Sequence, residues 1–354
     1  MIKSRYNVIG VMSGTSLDGI DLAYLTFECN KKWTFEILNV VTIPYSQFWL
    51  EKLSKLIYLN LNDLKQIDVE YTVYLSNVIN SFIDKYKIKD IDAICSHGHT
   101  ALHQPKKGFT YQIGNQKKIA KLTQHKVVCD FRVQDVAFGG QGAPLVPIGD
   151  QLLFSDYKYC LNLGGFANVS FEDNNNRIAF DICPVNIVLN HYSKILGLEY
   201  DANGNIASEG KVDSLLLAKL NALEFYKLDF PKSLGLEWVN LNIIPIIDSH
   251  QLEVKDILRT VVEHIAVQIS SVLNKQTTAS VLISGGGVYN TFLIERLKAF
   301  CKNEIVIPSK LIIEYKEALI FGLLGVLKLR GETNCLASVT GASHDHSSGT
   351  IYTI

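Results

Sequence analysis

The segment from Val8 to Phe27 constrains the fold most, because two apolar, strand-like runs are joined by a turn of Gly, Ser, Thr and Asp. Glycines such as Gly14 and Gly19 allow a tight turn whose backbone N–H groups approach an anion closely. The hydroxyl groups beside them are further donors for phosphate oxygens. The segment therefore predicts a phosphate-binding hairpin. Its predicted binding residues are Ser13, Gly14, Thr15, Ser16, Leu17, Asp18, Gly19 and Asp21.

The two carboxylates of this turn, Asp18 and Asp21, cannot hold phosphate themselves. They are suited to Mg²⁺, which they could bind directly or through its waters, and Asp18 is the candidate metal ligand. A β-hairpin with a polar tip and no ligand explains the same residues, since hairpin turns are rich in them. This segment alone leaves both interpretations open.

Two later glycine clusters favour the nucleotide interpretation. Residues 159–171 read as strand, turn and strand, and residues 280–290 read as a buried strand that ends in three glycines. Two phosphate hairpins and a Gly-rich strand end beside the base and ribose are typical of the sugar kinase, actin and chaperone ATPase superfold, although a lone glycine run is weak evidence. The predicted nucleotide-binding residues here are Asn162, Gly164, Gly165, Asn168, Gly285, Gly286, Gly287 and Asn290.

Motifs spread over the whole chain resemble those of the anhydro-N-acetylmuramic acid kinases. They are residues 10–19, 96–100, 130–132, 139–147, 162–165 with Asn168, 285–287 and 338–342. Kinases of that family use ATP and water to open the 1,6-anhydro ring of a peptidoglycan-derived sugar, and they leave the phosphate on its 6-hydroxyl. The resemblance implies a cytoplasmic bacterial recycling enzyme that uses ATP and Mg²⁺ and forms a homodimer.

Length and composition agree with a two-lobe fold. A chain of 354 residues with 47% hydrophobic content exceeds the size at which one core keeps growing. We expect an α/β, actin-like ATPase fold of the ribonuclease H type, with ATP in the cleft between two lobes. The expected N-terminal lobe covers residues 1–138, the C-terminal lobe covers 139–335, and the tail from about 336 to 354 packs back on the first lobe.

Charge and apolar runs exclude several other classes. The net charge is −1 and there is no block of Lys or Arg, so nucleic acid is not an expected partner. No run is long enough to cross a bilayer and the N-terminus has no signal-type apolar segment, so we expect a cytosolic protein. The seven cysteines are scattered and are expected to be buried, reduced thiols.

Asp181 is the candidate catalytic residue. It follows an apolar strand that forms the return arm of the second hairpin, so we expect its carboxylate beside the γ-phosphate, where it can act as a general base. In the resembled family this aspartate activates the water that attacks the anomeric carbon. The structural alternative is that Asp181 caps a helix that begins after Pro184.

The sugar is expected to contact polar residues near the ends of two predicted strands, at Ala93 and Val127. A structural salt bridge is the alternative for Arg132 with Asp135, and an interaction with the helix dipole is the alternative for a first-turn Glu317. A metal site shared by His97, His99 and His103 is not favoured. The predicted substrate residues are His97, Gly98, Arg132, Gln141, Gly142, Pro184, Asn186 and Glu317.

Three departures from the family pattern leave the sugar open. The usual Asp-Thr-Gly-Pro-Gly-Asn is replaced at 181–186 by Asp-Ile-Cys-Pro-Val-Asn, which we expect to narrow the space beside the substrate. Leu236 stands where Arg is typical, and His99 where Gln is usual. A same-fold kinase for another small sugar and a non-catalytic ATP-binding sensor are the alternatives. The retained Asp181 and Asp18 argue against a sensor.

Overall fold

The computed structural model describes residues 3–14 and 16–354. Two compact units are present: a first unit that runs to Leu153 and resumes over Tyr315–Ile354, and a second unit of Phe154–Glu314. These bounds differ from the expected ones, because the helix Pro147–Leu153 and the chain from Tyr315 onward belong with the first unit. Each unit is built around its own hydrophobic core.

The first unit contains a mixed sheet and helices from both ends of the chain. Its strands are β1 (Arg5–Ser13), β2 (Ile20–Cys29), β3 (Trp33–Ile43), β4 (Ala93–Gln104), β5 (Phe109–Ile113), β6 (Val127–Cys129) and β12 (Thr350–Tyr352). Its helices are α1 (Gln47–Leu53), α2 (Leu61–Tyr86), α3 (Lys118–Thr123), α4 (Val133–Ala137), α5 (Pro147–Leu153), α13 (Lys310–Arg330, from Tyr315 on) and α14 (Ala337–Thr340). Short 3₁₀ turns cover Leu56–Tyr58 and Pro105–Lys107.

The strand order of this sheet is β12-β6-β4-β1-β2-β3, with β5 paired to β4. Strand β1 is antiparallel to β2 and parallel to β4, so the turn between β1 and β2 is the predicted first hairpin. Strand β12 pairs with β6, which brings the end of the chain onto this sheet.

Helix α2 has a well-defined start. Asn60 begins α2, because its Oδ1 accepts hydrogen bonds from the backbone N–H groups of Asn62 (3.0 Å) and Asp63 (3.1 Å). Tyr71, Leu75 and other apolar residues three or four positions apart then face the core. Residues 48–86 are therefore helical in three pieces, α1, a 3₁₀ turn and α2.

The second unit contains a smaller sheet. Its strands are β7 (Tyr159–Leu163), β8 (Phe166–Asp173), β9 (Asn176–Pro184), β10 (Ser280–Ser284) and β11 (Glu304–Val306). Its helices are α6 (Asn186–Ile195), α7 (Asn205–Glu209), α8 (Ser214–Asn221), α9 (Leu236–Asn242), α10 (Ile244–Asp248), α11 (Val254–Leu273) and α12 (Thr291–Phe300). Short 3₁₀ turns cover Ala202–Gly204, Glu224–Lys227 and Gly286–Tyr289.

The two sheets share one strand order. In the second unit the order is β11-β10-β7-β8-β9, with β7 antiparallel to β8 and parallel to β10. This matches β6-β4-β1-β2-β3 of the first unit strand for strand. The prediction of an α/β fold with two similar lobes is confirmed, although the sequences of the halves differ.

The motif at 96–100 lies inside a strand rather than after one. Strand β4 runs parallel to β1 as far as the pair His99–Ser13, and it then continues antiparallel to β5. The strand predicted at Ala93 is therefore longer than expected, because β5 supplies a second partner that prolongs β4 to Gln104. Across the described residues, the helices are all too short or too polar to cross a bilayer.

Candidate active site

The first phosphate hairpin is the turn between β1 and β2. Gly19 is required in this turn: its φ is 153°, and a Cβ there would lie 2.5 Å from the carbonyl oxygen of Ile43. The backbone N–H of Leu17 donates to Gly14 O (3.3 Å), which closes the turn. Ser16 is exposed on it, whereas Thr15 lies outside the described residues. A tight, polar, exposed turn of this kind suits an anion.

Ser13 anchors the start of this turn instead of reaching out from it. Its Oγ lies 2.5 Å from Tyr45 OH, 2.9 Å from Tyr71 OH and 2.9 Å from His99 Nδ1. Burial raises the pKa of Tyr45 to about 12 and lowers the pKa of His99 to about 4, so both side chains are uncharged at neutral pH. The hydroxyl of Ser13 is therefore engaged inside a neutral cluster. Tyr45 and Tyr71 lie in segments without a motif, so sequence reasoning missed them.

The two carboxylates of the first hairpin have different surroundings. Asp21 is half-buried in β2, and its Oδ1 accepts a hydrogen bond of 2.6 Å from Thr42 Oγ1. Asp18 is exposed in the turn. Of the two, Asp18 fits a cation bound at the turn, since its oxygens face solvent.

A second group of polar residues surrounds Arg132 in the first unit. Its Nε donates to His97 Nε2 (2.8 Å), and its Nη1 donates to the carbonyl oxygen of Gly142 (2.6 Å). The other ring nitrogen of His97, Nδ1, lies 2.9 Å from Gly98 O. Burial, together with the charge of Arg132, holds the pKa of His97 well below its usual value. His97 is thus a neutral imidazole with a defined tautomer.

His97 and His99 serve different partners. Although they lie on the same strand, His97 bonds Arg132 and His99 bonds Ser13. The two imidazoles therefore belong to separate hydrogen-bonded groups.

Gly142 is held from both sides. Its N–H donates to Asp135 Oδ2 (2.6 Å), and its carbonyl accepts from Arg132. Within the described residues, Arg132 and Asp135 form no direct ion pair, so the salt-bridge alternative gives way to a bridge through Gly142. Gln141 is exposed beside it, with its backbone N–H bonded to Thr340 O (2.8 Å).

Glu317 lies in the interior of α13 rather than in a first turn. The helix begins at Lys310, two turns before Glu317, so the interaction with the helix dipole is excluded as an explanation of Glu317. Desolvation by surrounding protein raises the pKa of Glu317, and the charge of Arg132 opposes that shift. Glu317 thus lies within electrostatic range of Arg132.

In the second unit, three predicted residues form a row across neighbouring strands. Asn162 of β7 pairs with Asn168 of β8, and Asn168 pairs with Asp181 of β9. Directly paired residues of antiparallel strands lie on the same face, so the three side chains share one face of the sheet. A bulge in β9 at Ile182 sets this register.

Asp181 lies in a half-buried position that suits a base. Its Oδ2 accepts a hydrogen bond of 2.8 Å from the backbone N–H of Leu234. Burial raises the pKa of Asp181 above its usual value, and the bond from Leu234 opposes this. The N-cap of α6 is Val185, so the alternative in which Asp181 caps that helix was wrong.

The turn of the second hairpin is seated on the start of α6. The carbonyl of Gly165 accepts from Val185 N (2.8 Å), and that of Gly164 accepts from Asn186 N (3.3 Å). Pro184 is buried at the end of β9, where it pairs with Phe166 of β8. The glycine turn, Pro184 and Asn186 are thus placed together.

A cavity of about 470 Å³ opens in the second unit beside the Gly-rich segment. It is lined by Asn186, Leu189, Asn190, Tyr200, Asp201, Ala202, Asn203, Gly286, Tyr289 and Asn290. Gly286 and Asn290 were predicted for the nucleotide, whereas Asn186 was predicted for the sugar. Tyr289 lies two residues after Gly287 and directly before the predicted Asn290, so it was within reach of the sequence argument. Tyr200 lies in a segment without a motif.

The structure explains the residue type at two positions of the Gly-rich segment. Gly285 has a φ of 88°, and a Cβ there would lie 2.6 Å from Asn162 Oδ1, so β10 can approach β7 closely only with glycine. Asn290 caps α12, because its Oδ1 accepts from Leu293 N (2.9 Å). Gly287 is buried beside Leu163.

The departures near Asp181 are accommodated in the core. Ile182, Cys183 and Val185 are all at most 2% exposed and belong to the hydrophobic core of the second unit. Their bulk is taken up by packing, which removes the reason to expect a narrowed substrate space. Leu236, the first residue of α9, is exposed.

Two sheets of one strand order, each with a polar glycine turn after its first strand, define the two-lobe fold that sugar kinases share with actin and chaperone ATPases. Within that fold, the family match makes the class an ATP-dependent sugar kinase. The family model for anhydro-N-acetylmuramic acid kinase matches residues 6–354. The chain belongs to this family.

Relatives with that name match nearly end to end. The protein from Mannheimia succiniciproducens is 35% identical and covers 99% of this chain and 100% of its own length. The protein from Pasteurella multocida is 36% identical, with coverage of 99% and 98%. That from Pseudomonas syringae pv. syringae is 34% identical, with coverage of 97% and 98%. The expected family is confirmed.

Proposed function

We propose that this protein uses ATP and water to open the 1,6-anhydro ring of anhydro-N-acetylmuramic acid and leaves the phosphate on its 6-hydroxyl. The observation that carries the proposal is Asp181, a half-buried carboxylate with a raised pKa in a row with Asn168 and Asn162. Membership of the kinase family supports the same chemistry.

In this reaction Asp181 takes a proton from a water molecule. The water oxygen bonds to the anomeric carbon, and the bond from that carbon to O6 breaks. O6 then bonds to the γ-phosphorus, and the bond to the leaving ADP oxygen breaks. The products are the 6-phosphate of the opened sugar, ADP and one proton. The raised pKa makes Asp181 a stronger base than an ordinary aspartate.

ATP is assigned to the glycine turns and to the cavity of the second unit. The cavity fits the adenosine part, since Tyr200 and Tyr289 on its wall offer apolar ring faces to a base and the Asn and Asp side chains beside them offer hydrogen bonds. Asn186, which the sequence analysis assigned to the sugar, lies on that wall and is therefore reassigned to the nucleotide. The glycine turns hold the phosphates with Asn162 and Asn168. Asp18, exposed in the first turn, would hold Mg²⁺, which neutralises phosphate charge when bound.

The sugar is assigned to the group around Arg132. His97 and Gly142 orient the guanidinium, which is suited to a carboxylate such as the lactyl group of a muramic acid. In the first unit, Gly98, Gln141 and Glu317 complete the proposed sugar contacts. Pro184 of the second unit stays a proposed sugar residue on the family resemblance. A cytoplasmic location and a homodimer also belong to this proposal, on the family resemblance alone.

The proposal is tested by ADP release from the purified protein with and without 1,6-anhydro-N-acetylmuramic acid. We expect release that depends on the sugar. The product's mass would exceed that of the sugar by one phosphate group and one water. Reaction in ¹⁸O-water would place the label on the anomeric carbon. ADP release that is unaffected by the sugar would contradict the proposal.

A kinase for another small sugar is the second candidate. Exposed Leu236, where the family typically has Arg, is the observation that favours it, since the other departures are buried in the core. A panel of anhydro and open-chain amino sugars in the same assay separates the two, because the second candidate requires a higher kcat/KM for a different sugar.

A further inference from the structure

Three potential metal-binding side chains lie together in the first unit. Asp135, Cys335 and His346 are all buried, and one ligand atom from each lies within 4.8 Å of the others. Asp135 Oδ1 is 3.0 Å from Cys335 Sγ and 3.6 Å from His346 Nε2. Neither Cys335 nor His346 has a part in the reaction proposed above.

The tautomer of His346 is fixed by its other nitrogen. Nδ1 lies 3.0 Å from the carbonyl oxygen of His344, and a carbonyl can only accept, so Nδ1 carries a proton. In a neutral ring the lone pair is then on Nε2. That atom is buried and lacks a hydrogen-bond partner among the described residues. It faces an oxygen of Asp135, so a positive species belongs between the two atoms.

The ligand set and the spacing fit zinc. Thiolate, imidazole and carboxylate are the ligands that Zn²⁺ takes in proteins, at about 2.0–2.3 Å from the ion. Ligand atoms on a tetrahedral ion of that size are roughly 3.5 Å apart, which is close to the observed 3.0 and 3.6 Å. The Cys335 thiol now donates to Asp135, and on metal binding it would release that proton to solvent.

The surrounding hydrogen bonds hold the three ligands in place. Thr340 Oγ1 donates to Asp135 Oδ1 (2.7 Å), and Gly142 N donates to Oδ2. Cys335 and His346 pair through their backbones at 3.1 Å in both directions. Such outer contacts orient ligands and raise metal affinity.

We propose that Asp135, Cys335 and His346 bind one Zn²⁺ ion, with water in the fourth position. The ion would link α4 to the segments on either side of α14. A protonated His346 paired with Asp135 is the rival explanation of the same geometry, and it predicts no metal affinity.

The test is Zn²⁺ and Co²⁺ binding to the full-length, untagged protein after treatment with a chelator. We expect about one ion per chain, a sulfur-to-cobalt charge-transfer band with Co²⁺, and a higher Tm with Zn²⁺. Cys335→Ser removes the band and weakens Zn²⁺ binding by more than about tenfold. His346→Gln weakens it similarly.

Cys301→Ser and His344→Gln are the matched controls, since both residues lie outside the cluster. Each control variant is expected to retain the band and the affinity. A wild-type protein without the charge-transfer band overturns the proposal, as does Zn²⁺ binding that Cys335→Ser leaves unchanged. Metal binding is measured without sugar or ATP, so its outcome is independent of the proposed reaction.

Discussion

The guanidinium Nε of Arg132 donates a hydrogen bond of 2.8 Å to Nε2 of His97. An imidazole can accept this bond only when Nε2 is unprotonated. Burial and the adjacent positive charge of Arg132 both lower the pKa of His97, so the ring stays neutral. The pair therefore presents one cation, on Arg132, whose second contact is Gly142 O. A planar group anchored at two points is pre-oriented for an anionic substrate.

Arg132→Lys tests this orientation. An ammonium group cannot reproduce two divergent contacts of a planar guanidinium, so the substituted cation is less well oriented. We expect KM for the sugar to rise by about tenfold, equivalent to about 1.4 kcal/mol, with Kd for ATP unchanged. Steady-state kinetics at saturating ATP and a separate nucleotide titration measure the two quantities. Equal KM values for variant and wild type would show that the sugar does not contact this group.

Gly285→Ala tests the close approach of β10 to β7. The new Cβ meets Asn162 Oδ1 at 2.6 Å in a backbone with a φ of 88°, which we expect to cost about 1–3 kcal/mol of stability. Gly286→Ala is the control, because a Cβ there meets no atom within 4 Å. Urea denaturation measures both variants. Similar losses in the two would contradict the strain argument.

His99→Gln tests the effect of the buried imidazoles on acid stability. The pKa of His99 is about 4 in the folded state, against about 6.5 in an unfolded chain. Between these values the unfolded chain binds the proton and the folded one does not, so the free energy of unfolding falls as the pH falls through this window. The contribution of His99 is about 3 kcal/mol at most.

Glutamine keeps a hydrogen-bonding group for Ser13 but does not titrate, so this variant loses less stability between pH 7 and pH 5 than the wild type. The measurement is urea denaturation at both pH values. His344→Gln, at an exposed position, serves as the comparison and retains the wild-type dependence. If the His99 variant and the wild type showed an identical pH dependence, the pKa of His99 in the folded wild type would lie near the ordinary histidine value.

Local sequence patterns predicted the hairpins and strands that carry the glycine turns. Apolar runs broken by glycine and polar residues predicted the hairpin at residues 8–27 and the strands around Asn162 and Asp181. The structure contains both hairpins, with their turns after β1 and β7. Partners distant in sequence were not predictable. Strand β4 continues past His99 because β5 pairs with it, and Ser13 is engaged by Tyr45 and Tyr71.

At the candidate site, sequence reasoning also failed where a residue's surroundings depend on distant parts of the chain. Ile182 and Cys183 were read beside the substrate, but their side chains pack in the core, which only the tertiary structure of the second unit decides. Glu317 was placed in a first turn because nothing in the residues before it marks the helix start at Lys310. Spacing identifies a residue's neighbours along the chain, whereas burial depends on the elements packed around it.

The measurement that bears most directly on the account compares wild type with Asp181→Asn in sugar phosphorylation and in ATP binding. Asparagine keeps an oxygen for the Leu234 N–H but cannot accept the water's proton. We predict a loss of turnover of at least about a hundredfold, with Kd for ATP within a few-fold of the wild-type value. Normal sugar-dependent turnover in this variant would contradict the role of Asp181 as the base.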